Sequence, residues 1–298
     1  MQFIVCFRKM LLIAFLCLFP FLQGSVAKDE AIMPSWTYEY VNYRNKITSR
    51  IDSSRIAQPS SGRPVTISKE NIEKMVNVPF SALSTNNANV RKLIVDTHND
   101  LRRSVRPTAR NMLKMVWSDA AAQTAARYAS QCIAGHSHPN LRTIPNFTCG
   151  ENLFLSTFKA SWDDVIKSFY SEVVDFVYGY GPRLPNLETG HYTQITWATS
   201  FLVGCAVAQC SNAQYAYYYV CHYCPPGNLN KMVGNPYKSG PACGDCPSSC
   251  DNGLCTNPCP FQNWYANCRD YYYGQKCAPD LDNDCPATCR CTKNEIQQ

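Results

Sequence analysis

Neither an H-E-x-x-H pair nor a G-x-S-x-G elbow occurs in the 298 residues, so two local signatures of hydrolytic chemistry are missing. Charge of one sign is also scarce. Lys and Arg number 28 against 22 Asp and Glu, a balance of +6 that is too small to make nucleic acid the obvious partner. Beyond the first 20 residues there is no apolar run long enough to span a bilayer. Residues 28–88 hold no cysteine and no sustained apolar period, and they are rich in Ser, Asn, Pro and charge. Such a segment buries too little apolar surface to offset its chain entropy, so a mostly disordered polar extension is expected there. Trp36, Tyr38, Tyr40 and Tyr43 are its aromatic exception and suit a short docking element.

What is present begins with a leader. Arg8 and Lys9 precede ten apolar residues from Met10 to Phe19, and the small residues Gly24, Ser25 and Ala27 follow. A charged start, a short apolar centre and a small-residue exit predict a secretory signal peptide over 1–27, with Gly24 as the alternative cleavage point. The leader carries no acid, so its loss lowers the net charge from +6 to +4. Two of the 18 cysteines, Cys6 and Cys17, leave with it, and the remaining 16 are an even number bound for an oxidising compartment. Eight disulfides and a secreted, extracellular protein follow as expectations. Asn146-Phe-Thr148 is the only N-x-S/T sequon, which marks Asn146 for glycosylation.

Ile94, His98, Leu101 and Val105 recur at helical spacing before Pro107. Ser118 can cap a second helix through Ala122, Ala125, Ala126 and Ala129 to Cys132, whose small side chains allow close packing. Ser161 with Asp164 opens a third, with an inner stripe of Trp162, Val165, Ile166, Phe169 and Val173. The period then changes. His191–Thr199, Leu202–Cys210 and Tyr215–Tyr223 are rich in aromatic and β-branched residues and predict antiparallel strands. Helices followed by strands imply an α+β domain in which helices cover a small sheet. After Cys224, Pro225-Pro-Gly-Asn-Leu-Asn230 marks a boundary, and ten cysteines fall within the 49 residues from Cys243 to Cys291. So sulfur-rich a segment depends on its bridges. Its Cys243-Gly-Asp-Cys246 lacks the βαβ context of a redox motif and the histidines of a zinc finger, and reads as structural.

Four ordered segments carry a resemblance: His98-Asn-Asp-Leu-Arg102, Cys149-Gly-Glu-Asn-Leu-Phe154, Gly190-His-Tyr-Thr-Gln-Ile-Thr-Trp197 and Tyr219-Val-Cys-His-Tyr-Cys-Pro-Pro-Gly-Asn228. With the cysteine spacing from Cys243 to Cys255 and six further cysteines, the chain resembles the cysteine-rich secretory protein family of the CAP superfamily over about residues 90–291. Cysteine arithmetic alone leaves the pairing open. The resemblance implies Cys132–Cys210, Cys149–Cys224 and Cys205–Cys221 in the first domain, Cys243–Cys250 and Cys246–Cys255 in a hinge, and Cys259–Cys291, Cys268–Cys285 and Cys277–Cys289 in the tail. It also implies an α-β-α sandwich, the CAP fold, at 89–224, a linker and hinge at 225–258, a mainly helical cysteine-rich domain resembling ion-channel regulators at 259–291, and a tail at 292–298.

Glu172 falls on the inner face of the third helix, where an ionised carboxylate needs a partner. By position it matches one member of the superfamily's cleft tetrad, completed here by His136, Glu151 and His191. Two imidazoles with two supporting carboxylates suit a divalent metal, and the resemblance implies weak, non-catalytic Zn2+ binding. The same groups suit general acid–base chemistry, or simply hydrogen bonding that orders the cleft, with Glu151 in a loop and His191 opening a strand. His138 neighbours His136, but position relative to Cys132 favours His136. His98, Asn99 and Arg102 are expected to be scaffold hydrogen bonders.

The segment 225–298 carries 6 Lys and Arg against 7 Asp and Glu, so a strongly basic pore plug is excluded. Tyr271, Tyr272, Tyr273 and Lys276, with Trp264 and Tyr265, form a candidate channel-facing surface; packing against the disulfides is the competing reading, and the favoured one for Trp264. The expected function is a secreted, non-enzymatic regulator similar to proteins of the male reproductive tract. It would act on the sperm surface, sperm–egg interaction or ion channels through extracellular or cell-surface partners. The alternatives are a sterol- or lipid-binding CAP protein, its groove lined by the loop Val174–Pro185, and a zinc-dependent hydrolase.

Overall fold

The computed structural model describes residues 67–229, 232–265, 267–271 and 277–297. The expected leader, the extension up to residue 66 with its aromatic cluster, and Tyr272, Tyr273 and Lys276 lie outside the described residues.

In chain order the elements are α1 (Lys69–Val76), α2 (Ala88–Arg103), β1 (Val116–Trp117), α3 (Asp119–Ala129), β2 (Thr143–Ile144), β3 (Phe147–Thr148), β4 (Gly150–Ser156) and α4 (Trp162–Tyr170). They continue with β5 (Phe176–Val177), β6 (Gly181–Pro182), α5 (Gly190–Ile195), β7 (Leu202–Gln209), β8 (Tyr217–Cys224), β9 (Cys250–Asp251), β10 (Leu254–Cys255), α6 (Pro279–Asp284) and α7 (Pro286–Arg290). The main sheet has strand order β1-β7-β8-β4, with β1 parallel to β7 and the other pairs antiparallel.

Both faces of that sheet are covered, giving the α-β-α sandwich. On one face Tyr219, Cys221 and Tyr223 of β8 pack with Ile94 of α2 and with Trp162, Val165, Ile166 and Phe169 of α4. On the other, Val220 and Ala206 pack with Ala125, Tyr128 and Ala129 of α3. The alternation along β8 follows from the two-residue side-chain period of a strand. Serine caps start α3 and α4: the Ser118 hydroxyl accepts from the Ala121 amide, and that of Ser161 from the Asp164 amide. The inner stripe of α3 includes Ala121 and Thr124, while Ala126 faces solvent.

Three sequence expectations change. Order begins before Val90: α1 buries none of its residues, which is why it reads as disordered, but Ser68 caps its start and Lys159 Nζ reaches the Val76 and Val78 carbonyls at its end. Leu83 is buried with α4. Residues 190–195 form a helix rather than a strand, because the Glu172 carboxylate takes the first free amides. Glu151 lies in β4 and not in a loop.

The disulfides are Cys132–Cys210, Cys149–Cys224, Cys205–Cys221, Cys243–Cys250, Cys246–Cys255, Cys259–Cys291, Cys268–Cys285 and Cys277–Cys289, the pairs that the resemblance implies. The segment expected as a hinge is packed onto the first domain. β9 and β10 join through Asn252 and Gly253, both at positive φ as a tight hairpin turn demands. The Lys114 amide donates to Cys255 O at 2.8 Å and the Cys255 amide to Met112 O at 2.7 Å. Arg110 pairs with Asp245 and Lys114 with Asp251, both at 2.5 Å. Leu254 is buried beside Met112, and Cys243, Cys246 and Cys255 beside Leu113. The final residues also fold back, with the Ile296 amide on Asn257 O at 2.9 Å and its side chain in the same cluster as Phe147 and Cys149.

Candidate cleft site and family

The tetrad is built as two histidine–glutamate pairs. His136 lies on the loop after α3, and its Nδ1 is 2.8 Å from Glu151 Oε1. His191 is the second residue of α5, and its Nδ1 is 2.5 Å from Glu172 Oε1. Strand β4 serves both halves, because neighbouring side chains point to opposite faces of the sheet. Glu151 turns to His136, while Asn152 Nδ2 donates to the His191 carbonyl at 3.2 Å. The His191 ring also stacks on Phe169, centroids 5.0 Å apart. The carboxylates sit deeper than the rings: side-chain exposure is 1% for Glu151 against 61% for His136, and 16% for Glu172 against 32% for His191.

Burial alone would push the Glu151 pKa up. Hydrogen bonds from His136, His222 and both the hydroxyl and the amide of Ser137 outweigh it and hold the carboxyl well below the usual carboxylate range. Its charge is therefore permanent at physiological pH, and a carboxylate can only accept. Glu151 thus accepts from His136 Nδ1–H and fixes the tautomer that leaves Nε2 with its lone pair, the arrangement in which histidine ligates metals, and His191 Nδ1 has the matching contact with Glu172 Oε1. Among the described residues, no three of the tetrad's donor atoms lie within 4.8 Å of one another. The cluster that meets this distance, Cys243, Cys246 and Cys255, consists of disulfide sulfurs, which offer no thiolate.

His222 escapes sequence reasoning. It stands opposite Glu151 in the β4–β8 register, fully buried, with Nε2 3.0 Å from Glu151 Oε2 and Nδ1 2.7 Å from Thr124 Oγ1. Flanked by Cys221 and Tyr223, it reads as the outward residue of a half-exposed strand. Only the second covered face reveals it. Thr124, His222 and Glu151 have the order of a hydroxyl–imidazole–acid triad, with the hydroxyl buried between α3 and the sheet.

The signature histidine of α2 is structural. His98 is fully buried, with Nδ1 2.7 Å from Ile94 O and Nε2 3.0 Å from the Tyr223 hydroxyl. Asn99 bridges both backbone groups of Met115, and Arg102 donates five hydrogen bonds to main-chain carbonyls. Asn146 is exposed at the β2–β3 turn. In the loop expected to line a lipid groove, Phe176 packs on Tyr192 and Tyr178 on Tyr237, leaving Tyr180 at the tip exposed. Trp264 and Tyr265 are exposed. Of Tyr271, Tyr272, Tyr273 and Lys276, only Tyr271 lies within the described residues, where its backbone closes a short 3-10 turn.

Among the described residues, no helix is long and apolar enough to cross a membrane. Residues 95–223 match the family model described as "Cysteine-rich secretory protein family", and residues 243–297 match the model described as "Crisp". The chain is similar to several solved structures. One is NaASP2 with Zn2+, at 30% identity over 57% of this chain and 96% of that one, with a TM-score of 0.49. Na-ASP-1 is 27% identical over 66% of this chain and 52% of that one, with a TM-score of 0.47. Schistosoma mansoni venom allergen-like protein 4 is 24% identical over 51% and 95%, with a TM-score of 0.43. The chain belongs to the cysteine-rich secretory protein family, with a CAP domain followed by a C-terminal cysteine-rich domain.

Proposed function

We propose that this is a secreted, non-enzymatic binding and regulatory protein whose cleft takes up zinc between His136 and His191. One observation carries the metal reading: each imidazole gives its Nδ1 proton to a glutamate, so both Nε2 lone pairs are left for a ligand. Two protein nitrogens are fewer than the three or four ligands of catalytic and structural zinc sites, which fits a weak site completed by water or by a partner's side chain. The non-enzymatic reading draws support from the burial of Thr124 and from the absence of a free thiol among the described cysteines. Secretion draws support from eight disulfides, which persist in oxidising compartments.

The partner in this reading is extracellular: a sperm or egg surface protein, or an ion channel, met in the male reproductive tract. Family membership and the exposed Trp264 and Tyr265 of the tail support it, since aromatic side chains are enriched at binding hot spots. Calorimetry of the full chain with zinc tests the cleft. The wild type gives one binding event per chain and the H136A/H191A variant none; equal heat from both overturns the assignment. Channel recordings with the full chain and with W264A/Y265A test the tail, and identical traces remove that surface from the account.

A further inference from the structure

The two halves of the cleft are held by different means. Glu172 is fixed by backbone, its Oε2 accepting from the His191 and Tyr192 amides at 2.9 and 3.1 Å. Glu151 is fixed largely by side chains. Its Oε1 accepts from the Ser137 amide and His136 Nδ1, each at 2.8 Å, and its Oε2 from the Ser137 hydroxyl at 2.8 Å and His222 Nε2 at 3.0 Å. Four donors thus occupy the four lone-pair directions of a carboxylate.

The His222 end of this set depends on how closely α3 approaches the sheet. His222 is paired with Glu151 on one side and with Gly204 of β7 on the other. A Cβ at Gly204 would lie 2.1 Å from the Ala122 amide nitrogen, so glycine is what lets the helix backbone press onto the strand. That contact delivers Thr124, whose hydroxyl lies 2.8 Å from Ala121 O and 2.7 Å from His222 Nδ1, and its single proton serves Nδ1 when Nε2 of the neutral ring donates to the carboxylate. The imidazole is therefore gripped at both nitrogens, with Nε2 bound to donate to the carboxylate.

We propose that His222, held by Thr124, is a positioning residue for His136: it locks Glu151 in the rotamer whose Oε1 takes the His136 Nδ1 proton. The proposal rests on the reading of the cleft as a metal site. Without His222, a buried Oε2 loses one of two donors and the carboxylate is drawn toward Arg142, whose Nη1 stands 3.9 Å from Oε1. His136, on an exposed loop, then shifts toward the tautomer with its proton on Nε2, where a metal would bind. His191 has no such dependence and serves as the internal control.

The test uses the full chain as wild type, H222L, H222Q and T124V, with zinc calorimetry and, on metal-free protein, imidazole 15N–1H correlation spectra that report the tautomer. In the wild type both His136 and His191 carry Nδ1–H. H222L moves His136 toward a tautomer mixture, leaves His191 unchanged and weakens zinc binding about 10-fold, the range seen when a partner of a metal ligand is lost. H222Q, whose amide can still donate to Oε2, returns the His136 tautomer and brings affinity to within about 3-fold. Zinc binding and a His136 tautomer that are both unchanged in H222L overturn the proposal. Should H222L fail to fold, T124V decides: a shifted His136 tautomer supports the proposal, and no change in either readout overturns it. If the wild type takes up no zinc, the metal reading fails by itself, and the tautomer comparison still decides for or against His222.

Discussion

Replacing Arg102 with methionine should destabilise the protein by about 3 kcal/mol. Arg102 is 1% exposed and its guanidinium ties α2 to two segments: Nε and Nη2 donate to Leu113 O at 2.9 and 2.6 Å, Nη1 to Ile195 O and Trp197 O at 2.7 and 2.8 Å, and Nη2 to Ala198 O at 3.1 Å. Two of these carbonyls keep another donor when the arginine is removed, since Ala198 O also accepts from the Leu113 amide and Trp197 O from the Ser200 amide. Among the described residues, the Leu113 and Ile195 carbonyls keep no side-chain or loop donor. Each orphaned buried acceptor costs roughly 1–3 kcal/mol, giving about 2–6 in total, and relief of the buried charge offsets part of it. Lysine retains the charge but presents its donors from one point and cannot reproduce the fork, so R102K should recover less than half of the loss. Urea unfolding at neutral pH with the disulfides intact measures both. An R102M variant within about 1 kcal/mol of wild type would refute the reasoning.

Two further outcomes follow from the same scaffold. Burial, opposed by the Ile94 hydrogen bond and aided by the nearby Arg102 charge, lowers the His98 pKa to about 4. As pH falls, the unfolded chain takes up this proton near 6.5 and the native state only near 4, so stability complete above 6.5 declines by up to about 3 kcal/mol across that window. Urea titrations of wild type and H98Q should differ in slope between pH 7 and 4.5, and parallel slopes contradict the assignment. Ending the chain at residue 241 removes Leu254 and Cys255 from Met112 and Leu113, which should cost at least about 3 kcal/mol for two re-exposed side chains. An equal melting temperature for the 67–241 and 67–297 chains would show that the hinge is independent of the first domain.

Helices α2, α3 and α4 are legible in the sequence because each joins a 3.6-residue apolar period to a strong start, and β7 and β8 because β-branched and aromatic residues alternate between two covered faces. The helix α5 is not, since its Thr and Tyr composition suggests a strand and the group that caps it, Glu172, comes from a separate segment. Strand β4 is hidden by Glu151 and Asn152, polar residues that break the apolar pattern and are buried because His222 and the His191 carbonyl meet them. The family signatures single out His136, Glu151, Glu172 and His191, but the division of these residues into a backbone-held and a side-chain-held pair depends on register. Helix α1 has no fully buried residue; its caps, Asn71 on Asp164 and the partly buried Met75 against the main core tie it down, contacts invisible in local composition.

Anomalous diffraction from a zinc-soaked crystal of the full chain tests the central claim most directly. The expected result is a zinc peak bonded to Nε2 of both His136 and His191 at about 2.0–2.1 Å, with Glu151 and Glu172 still on the Nδ1 atoms. A peak at His138, at a carboxylate without either imidazole, or on an Nδ1 nitrogen would contradict it.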